Sequence, residues 1–220
     1  MSWSQPQHKV KTSSLLNTYS SKDFSLKTEQ ITHSEWENQK KEKEKVDWLI
    51  LHFNDWFSHQ NVKLVYGNAE PEYFPATKER SAEIQFAHGF FNSALHEISH
   101  WTIAGPKRRL LPDLGYWYTP DGRSNEQQKL FEQVEIKPQA IEWLFAQAFG
   151  LKFRVSVDNL TGDGGDSIEF KDNVYQQVQQ YFSGEAKLPR DAAYFIRCIC
   201  HATRNGKLLE AHEFKREALD

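Results

Sequence analysis

His96-Glu97-Ile98-Ser99-His100 has the form H-E-x-x-H, within a stretch whose pattern predicts a helix. Histidines four residues apart on a helix lie on one face, one turn above the other. Their ring nitrogens can then bind a single metal ion, with Glu97 beside them to handle a proton or a bound water. Three fixed letters in five also arise by chance on solvated helices. The flanks argue against chance here, because Phe91, Ala94, Leu95, Ile98 and Trp101 form an apolar stripe that predicts a largely buried helix. Polar groups in such a helix need partners, since unpaired ones are costly inside a protein.

Two histidines leave a metal site incomplete. Catalytic zinc and iron sites usually take a third protein ligand and keep positions open for water or substrate. A second predicted helix, from about Phe131 to Phe149 and stopped by Gly150, offers Glu132, Glu135 and Glu142. Glu135 is favoured because Ile136 and Pro138 beside it imply a buried junction, and Glu132 one turn away stays open as the alternative. His88, just before the metal helix, is a candidate to support a ligand or to act as a fourth one. With zinc, the set is a hydrolase pattern in which Glu97 takes a proton from bound water, as in a peptidase or amidase. With iron(II), two histidines and a carboxylate form the triad of oxygenases. A third possibility is a metal-stabilised binding protein without turnover.

The elements that must hold these residues follow from periodicity. Val46, Leu49, Ile50, Phe53, Trp56 and Phe57 keep helical spacing. Strands are expected near 62–66, 84–88 and 151–157, the last from the alternation of Leu151, Phe153, Val155 and Val157. Pro71 to Pro75 reads as extended loop and 105–130 as irregular. The metal helix spans about 91–104 and is ended by Gly105-Pro106. Val134, Ile141, Leu144, Phe145 and Ala148 give the second helix its apolar face, with Pro138 as a local conflict. Helices near 170–182 and 189–203 complete an α+β fold, in which a small sheet packs on the metal helices.

Composition sets the bounds. With 220 residues, 39% of them hydrophobic, the chain can bury one ordinary core. Residues 1–45 are rich in Ser, Thr, Gln and Lys and read as a mobile polar tail, leaving 46–220 as the metal-binding domain. A net charge of −3 gives no bulk attraction to nucleic acid. No run approaches the roughly 18 apolar residues of a membrane span. A polar N-terminus and only two cysteines, Cys198 and Cys200, fit a reduced, cytoplasmic protein. The loop of 158–166 fails as a calcium loop, and Gly162 to Gly165 lacks a nucleotide-binding context, so no electron donor is indicated.

Several blocks, in order, resemble the bacterial elongation factor P hydroxylases. They are Glu70-Pro71, Phe74-Pro75-Ala76, Phe86-Ala87-His88-Gly89-Phe90, the 94–101 stretch around His96 and His100, Ala104-Gly105, Gly115-Tyr116-Trp117-Tyr118 with Pro120-Asp121-Gly122-Arg123, the 131–140 stretch around Glu135, and Asp158-Asn159-Leu160. The likeness runs from about Trp48 to about Phe182, and the long polar tail departs from it. It implies a metal-dependent hydroxylase acting on the β-lysylated lysine of elongation factor P, with a metalloprotease-like metal arrangement. It implies His96, His100 and Glu135 as ligands, with iron(II) and dioxygen as the chemistry. For a long cationic substrate, Asp113, Asp121, Glu132 and Asp158 are candidate partners of the ammonium groups. Tyr116, Trp117 and Tyr118 are candidates to line the aliphatic stem, with Arg123 in the same loop a further candidate contact. Lys107, Arg108 and Arg109 either favour the end of the metal helix or dock an acidic partner.

Overall fold

The computed structural model describes residues 41–68, 70–115, 124–156 and 168–220. Residues 1–40 of the expected tail lie outside the described residues. So do Tyr116, Trp117, Tyr118, Asp121 and Arg123 of the aromatic loop, and Val157 and Asp158 of the later one.

Helix α1 (Glu42–Trp56) buries Val46, Trp48, Leu49, Phe53 and Trp56, as its periodicity requires. It begins one turn before the apolar pattern does, so the exposed Glu42, Lys43 and Glu44 are its first turn. Strands β1 (Val62–Tyr66), β2 (Glu72–Phe74) and β3 (Ala82–Phe86) follow. The sheet order is β1-β3-β2, with β1 parallel and β2 antiparallel to the central β3. Ile84 is the pivot of the register, opposite Leu64 on one side and Tyr73 on the other. Prolines 71 and 75 bracket β2 without preventing its three-residue pairing. Its outer edge is closed because the Tyr73 N–H donates to Asp113 Oδ1 at 3.0 Å.

The third strand of the sheet is therefore β2, and the strand expected at 151–157 is not formed in its described part. Phe153 is buried while Lys152 and Arg154 are exposed, so the alternation is real. Among the described residues no strand pairs with this segment, however. The side-chain amide of Gln139 takes the place of one, donating from Nε2 to the Ser156 carbonyl at 2.6 Å and accepting the Ser156 N–H at 2.9 Å. Phe153 stacks on Trp143, so the segment packs on a helix rather than a ladder.

β3 passes directly into helix α2 (Phe91–Ile103), which carries both histidines. His88 and Gly89 turn the chain with φ of 56° and 68°, a left-handed corner that suits Gly and strains His. Phe90, at the N-cap, offers no side-chain cap. Glu42 supplies one from another helix, its Oε1 accepting the Phe91 N–H at 2.7 Å.

Helix α3 (Asn125–Phe149) starts earlier than the apolar periodicity shows. Residues 125–130, expected to be irregular, are its first turns, begun by a capping box between Ser124 and Gln127. It ends in a left-handed Gly150, with the Leu151 N–H donating to the Ala146 carbonyl. It runs through Pro138. The carbonyl that loses its donor is that of Val134, which is 52% exposed, so water can take the acceptor. This also corrects the assignment of Val134 to the apolar face. Helices α4 (Ile168–Ser183) and α5 (Arg190–Thr203) pack with α2 around α3, which makes α3 the central helix.

Arg109 is a structural lock. It donates to the Trp101 carbonyl from Nε (3.1 Å) and Nη2 (2.9 Å), donates to Gln60 Oε1, and pairs with buried Asp191 at 2.7 Å. Its guanidinium also lies 3.8 Å from the centre of the Trp101 ring. It ties the end of α2 to α5 and to the turn after α1. Cys198 and Cys200 are buried and free inside α5, as small apolar residues would be.

Glu42→Ala should lower stability by about 1 kcal/mol through loss of the cap on α2. The urea midpoint should fall without a change in the slope, and an unchanged midpoint would show that water replaces the carboxylate.

Candidate metal centre

The face of α2 opposite its apolar stripe carries His96 and His100. The stripe packs Phe91, Ala94, Leu95, Ile98 and Trp101 into the core, which fixes the rotation of the helix and hence the direction of both imidazoles. Their Nε2 atoms lie 3.1 Å apart, with ring centroids at 4.7 Å. Helix α3 brings Glu135 across from them. Glu135 Oε1 lies 3.3 Å from His100 Nε2, and Oε2 lies 3.7 Å from His96 Nε2. Among the described residues, potential ligand atoms of these three side chains converge within 4.8 Å of one another.

Two of these spacings, 3.1 and 3.3 Å, fit one shared ion as they stand, and the third, 3.7 Å, lies a few tenths of an ångström beyond. Two metal–ligand bonds of about 2.1 Å at angles of 90–110° put their donor atoms about 3.0–3.4 Å apart. The donor chemistry fits as well, since two imidazoles and a carboxylate suit zinc or iron(II). The carboxylate of Glu135 is 6% exposed, against 27% for His96 and 14% for His100. The cluster is thus reached from the His96 side.

Glu135 shares its face of α3 with Gln139 and Glu142, at helical spacings of four and seven. All three are buried polar residues in a helix interface. Gln139 Nε2 approaches Glu135 Oε2 at 3.5 Å while holding Ser156. Glu142 Oε2 lies 2.8 Å from His96 Nδ1. Glu142 was legible in the sequence only as one of three glutamates on that helix. The signal that singles it out is the polar spacing 135, 139, 142 inside an otherwise apolar stretch.

Charge balance in the cluster favours a cation at its middle. Burial opposes protonation of His96, but the hydrogen bond to Glu142 and the charges of Glu142, Glu135 and Glu97 outweigh it and lift the pKa to about 10. Burial also opposes ionisation of Glu135, yet His100, His96 and Gln139 together bring it down to about 2. Burial pushes Glu97 above its ordinary value against the pull of His96 and His100. Without metal, a proton on His96 Nε2 points at His100 Nε2 and supplies the positive charge.

The other candidates fall elsewhere. Glu97 is half-buried on α2, close enough to both histidines to feel their charge. Glu132 is half-buried and accepts from Gln128 Nε2 at 3.3 Å; it does not join the convergent donors. His88 is exposed at the left-handed corner, its ring 6.1 Å from that of Phe90, and it is not among those donors. Asp113 is engaged by the edge of β2. No helix among the described residues is long and apolar enough to cross a membrane.

A family model described as elongation factor P hydroxylase matches residues 52–214. The elongation factor P lysine hydroxylase of Haemophilus influenzae is 51% identical over 150 residues, covering 67% of this chain and 83% of that protein. The matched span contains His96, His100, Glu135, Glu97 and Glu142.

The cluster has a definite pH signature. His96 has its folded pKa raised from 6.5 to about 10, so its contribution to stability is whole below about pH 6.5 and is lost as pH rises through about 10. Glu135 has its pKa depressed from 4.5 to about 2, so its contribution is present above about pH 4.5 and is lost as pH falls through about 2. Metal-free protein should therefore draw most from this cluster between about pH 4.5 and 6.5. A divalent ion must displace the His96 proton. Its apparent affinity should thus rise about tenfold per pH unit through neutrality, with proton release visible in calorimetry across buffers of different ionisation heat. Affinity independent of pH would contradict this electrostatic account.

Proposed function

This chain belongs to the elongation factor P hydroxylase family, and on that premise we propose that it is a metal-dependent enzyme that hydroxylates the β-lysylated lysine of elongation factor P. The observation that carries the reading is the convergence of His96, His100 and Glu135 inside the span that matches the family. The ligand set alone left a zinc peptidase or amidase open, and neither comparison supports that choice. Zinc has no redox chemistry, whereas adding an oxygen atom to a C–H bond is an oxidation, so we assign iron(II) and dioxygen.

His96 and His100, one turn apart on α2, and Glu135, facing them from α3, would hold the ion. Holding it so would put the H-E-x-x-H arrangement of metalloproteases to use in oxidation. Bound there, iron(II) would supply the activation of dioxygen that insertion of one oxygen atom requires. The protein's own contribution is to exclude bulk water from the α2–α3 side and leave the His96 side for substrate. Glu97 is the group we assign to hold and pass a proton at its carboxylate, since it sits beside both histidines on α2 and burial raises its pKa, favouring the proton-bearing form. Glu132, Asp121 and Asp158 are proposed to receive the ammonium groups of the modified lysine. Tyr116, Trp117 and Tyr118 are proposed to flank its stem, with Arg123 beside them. One described residue bordering the second of those segments supports this: Ser156 is bonded to Gln139, one turn from Glu135. Action on a translation factor fits a cytoplasmic setting.

Purified chain with iron(II), a reductant, dioxygen and β-lysylated elongation factor P should add the mass of one oxygen atom to the modified lysine peptide. Zinc-loaded or anaerobic protein should add none. His96→Ala, His100→Ala and Glu135→Ala should each lose bound metal and turnover together. Glu97→Gln should keep its metal while turnover falls about 100-fold or more. Glu132→Ala should keep its metal too; loss there with retention in Glu135→Ala would move the third ligand to Glu132. No oxygen addition under any loading would remove the hydroxylase assignment.

We also place the chemistry outside the N-terminal segment. Deleting residues 1–40, which spares the Glu42 cap, should leave metal content and turnover unchanged. Loss of soluble protein would instead show that Trp3, Phe24 or Trp36 packs on the domain.

A further inference from the structure

We propose that Glu142 is a positioning residue for the metal centre, acting through His96. This rests on the metal-centre reading above and adds to it. Glu142 Oε2 sits 2.8 Å from His96 Nδ1. An ionised carboxylate only accepts, so Nδ1 must carry the hydrogen. The neutral imidazole then presents its lone pair at Nε2, the atom that faces His100 Nε2 at 3.1 Å and Glu135 Oε2 at 3.7 Å. The two nitrogens point to different sides of the ring. A carboxylate bonded at Nδ1 therefore acts on the ion through the ring and is not itself a ligand, in keeping with its absence from the convergent donors.

Two further observations assign the role to this residue. His96 is the more exposed of the two histidines, at 27% against 14%, so it is the ring with more room to turn. Glu142 itself is well covered, in the buried α2–α3 interface, and its position is set by the backbone of α3. It stands two turns from Glu135 on the same face. One helix thus supplies the third ligand and fixes the tautomer of the first, so a single α2–α3 register sets both.

The test uses the full chain and zinc as the probe, with affinity measured by calorimetry and folding checked by circular dichroism. Glu142→Ala should weaken zinc binding about 10–100-fold, the usual effect of removing a partner of a ligating histidine. Glu142→Gln should recover most of that loss, because its amide oxygen can still accept from Nδ1–H. A role in packing alone would not give this rescue pattern. Nitrogen NMR of histidine-labelled, zinc-loaded protein should show His96 protonated at Nδ1 and metal-bound at Nε2 in the wild type, and a loss of that fixed Nδ1–H in Glu142→Ala. Wild-type zinc affinity in Glu142→Ala beside lost affinity in His96→Ala would overturn the positioning role alone. So would metal binding through Nδ1. Wild-type affinity in His96→Ala would overturn the metal centre and this role with it.

Discussion

The contact between α2 and α3 is the constraint on which the rest of the molecule depends. It is an apolar helix interface with two imidazoles and two carboxylates placed inside it. Each of those groups costs free energy to bury and recovers part of it through the others. His96 needs Glu142 and Glu135, Glu135 needs His100 and Gln139, and none is satisfied if either helix shifts by a turn. Apolar packing brings the helices together. The polar set selects which of the possible registers is the native one.

Distant parts of the fold serve that register. Glu42 caps the first turn of α2, and Arg109 fastens its last turn through the Trp101 carbonyl and Asp191. Burial works against ionised Asp191, but bonds from Gln60 and Arg109 outweigh it and keep its pKa below the usual value. The basic run after α2 therefore divides. Lys107 is exposed, Arg108 bonds the Leu114 carbonyl, and Arg109 is spent on the core. From sequence, all three look alike, because Arg109 is set apart by distant partners, Gln60 on one side and Asp191, more than eighty positions away, on the other.

That contrast describes what could be read in advance. Helices α1, α2, α4 and α5 and strands β1 and β3 were legible because their apolar spacing is local. The first turns of α3 were not, because Glu126, Gln127, Lys129 and Leu130 are exposed and the stretch carries no apolar period; Ser124 and Gln127 were a local sign of its start. The alternation of 151–156 was read correctly as burial and wrongly as a strand. Periodicity reports which side of a segment is covered, and it cannot say whether the cover is a strand or the amide of Gln139. At the centre, the histidine pair is written in one helical turn. The carboxylate that meets it depends on how α3 is rotated. Val134 was assigned to the buried face and is exposed, while Glu135 beside it is buried, so a shift of one position decides which group reaches the histidines.

A centre carried by two helices also behaves differently from one carried by strands or loops. The relation between His96 and His100 is fixed by helical geometry, whatever the rest of the protein does. The relation between the pair and Glu135 rests on side-chain packing and polar contacts between α2 and α3, which can relax by fractions of an ångström. The adjustable coordinate of the site is therefore the separation and register of that one interface. Gln139 joins this coordinate to the 151–156 segment, and Glu142 joins it to the ring of His96. Polar residues are retained in a helix interface at a cost to packing, and here each links the helix of Glu135 to another part of the site. The sheet takes no part in the ligand set. Its work is to deliver β3 into the corner at His88 and Gly89, which sets where α2 begins and hence which face of it the core receives.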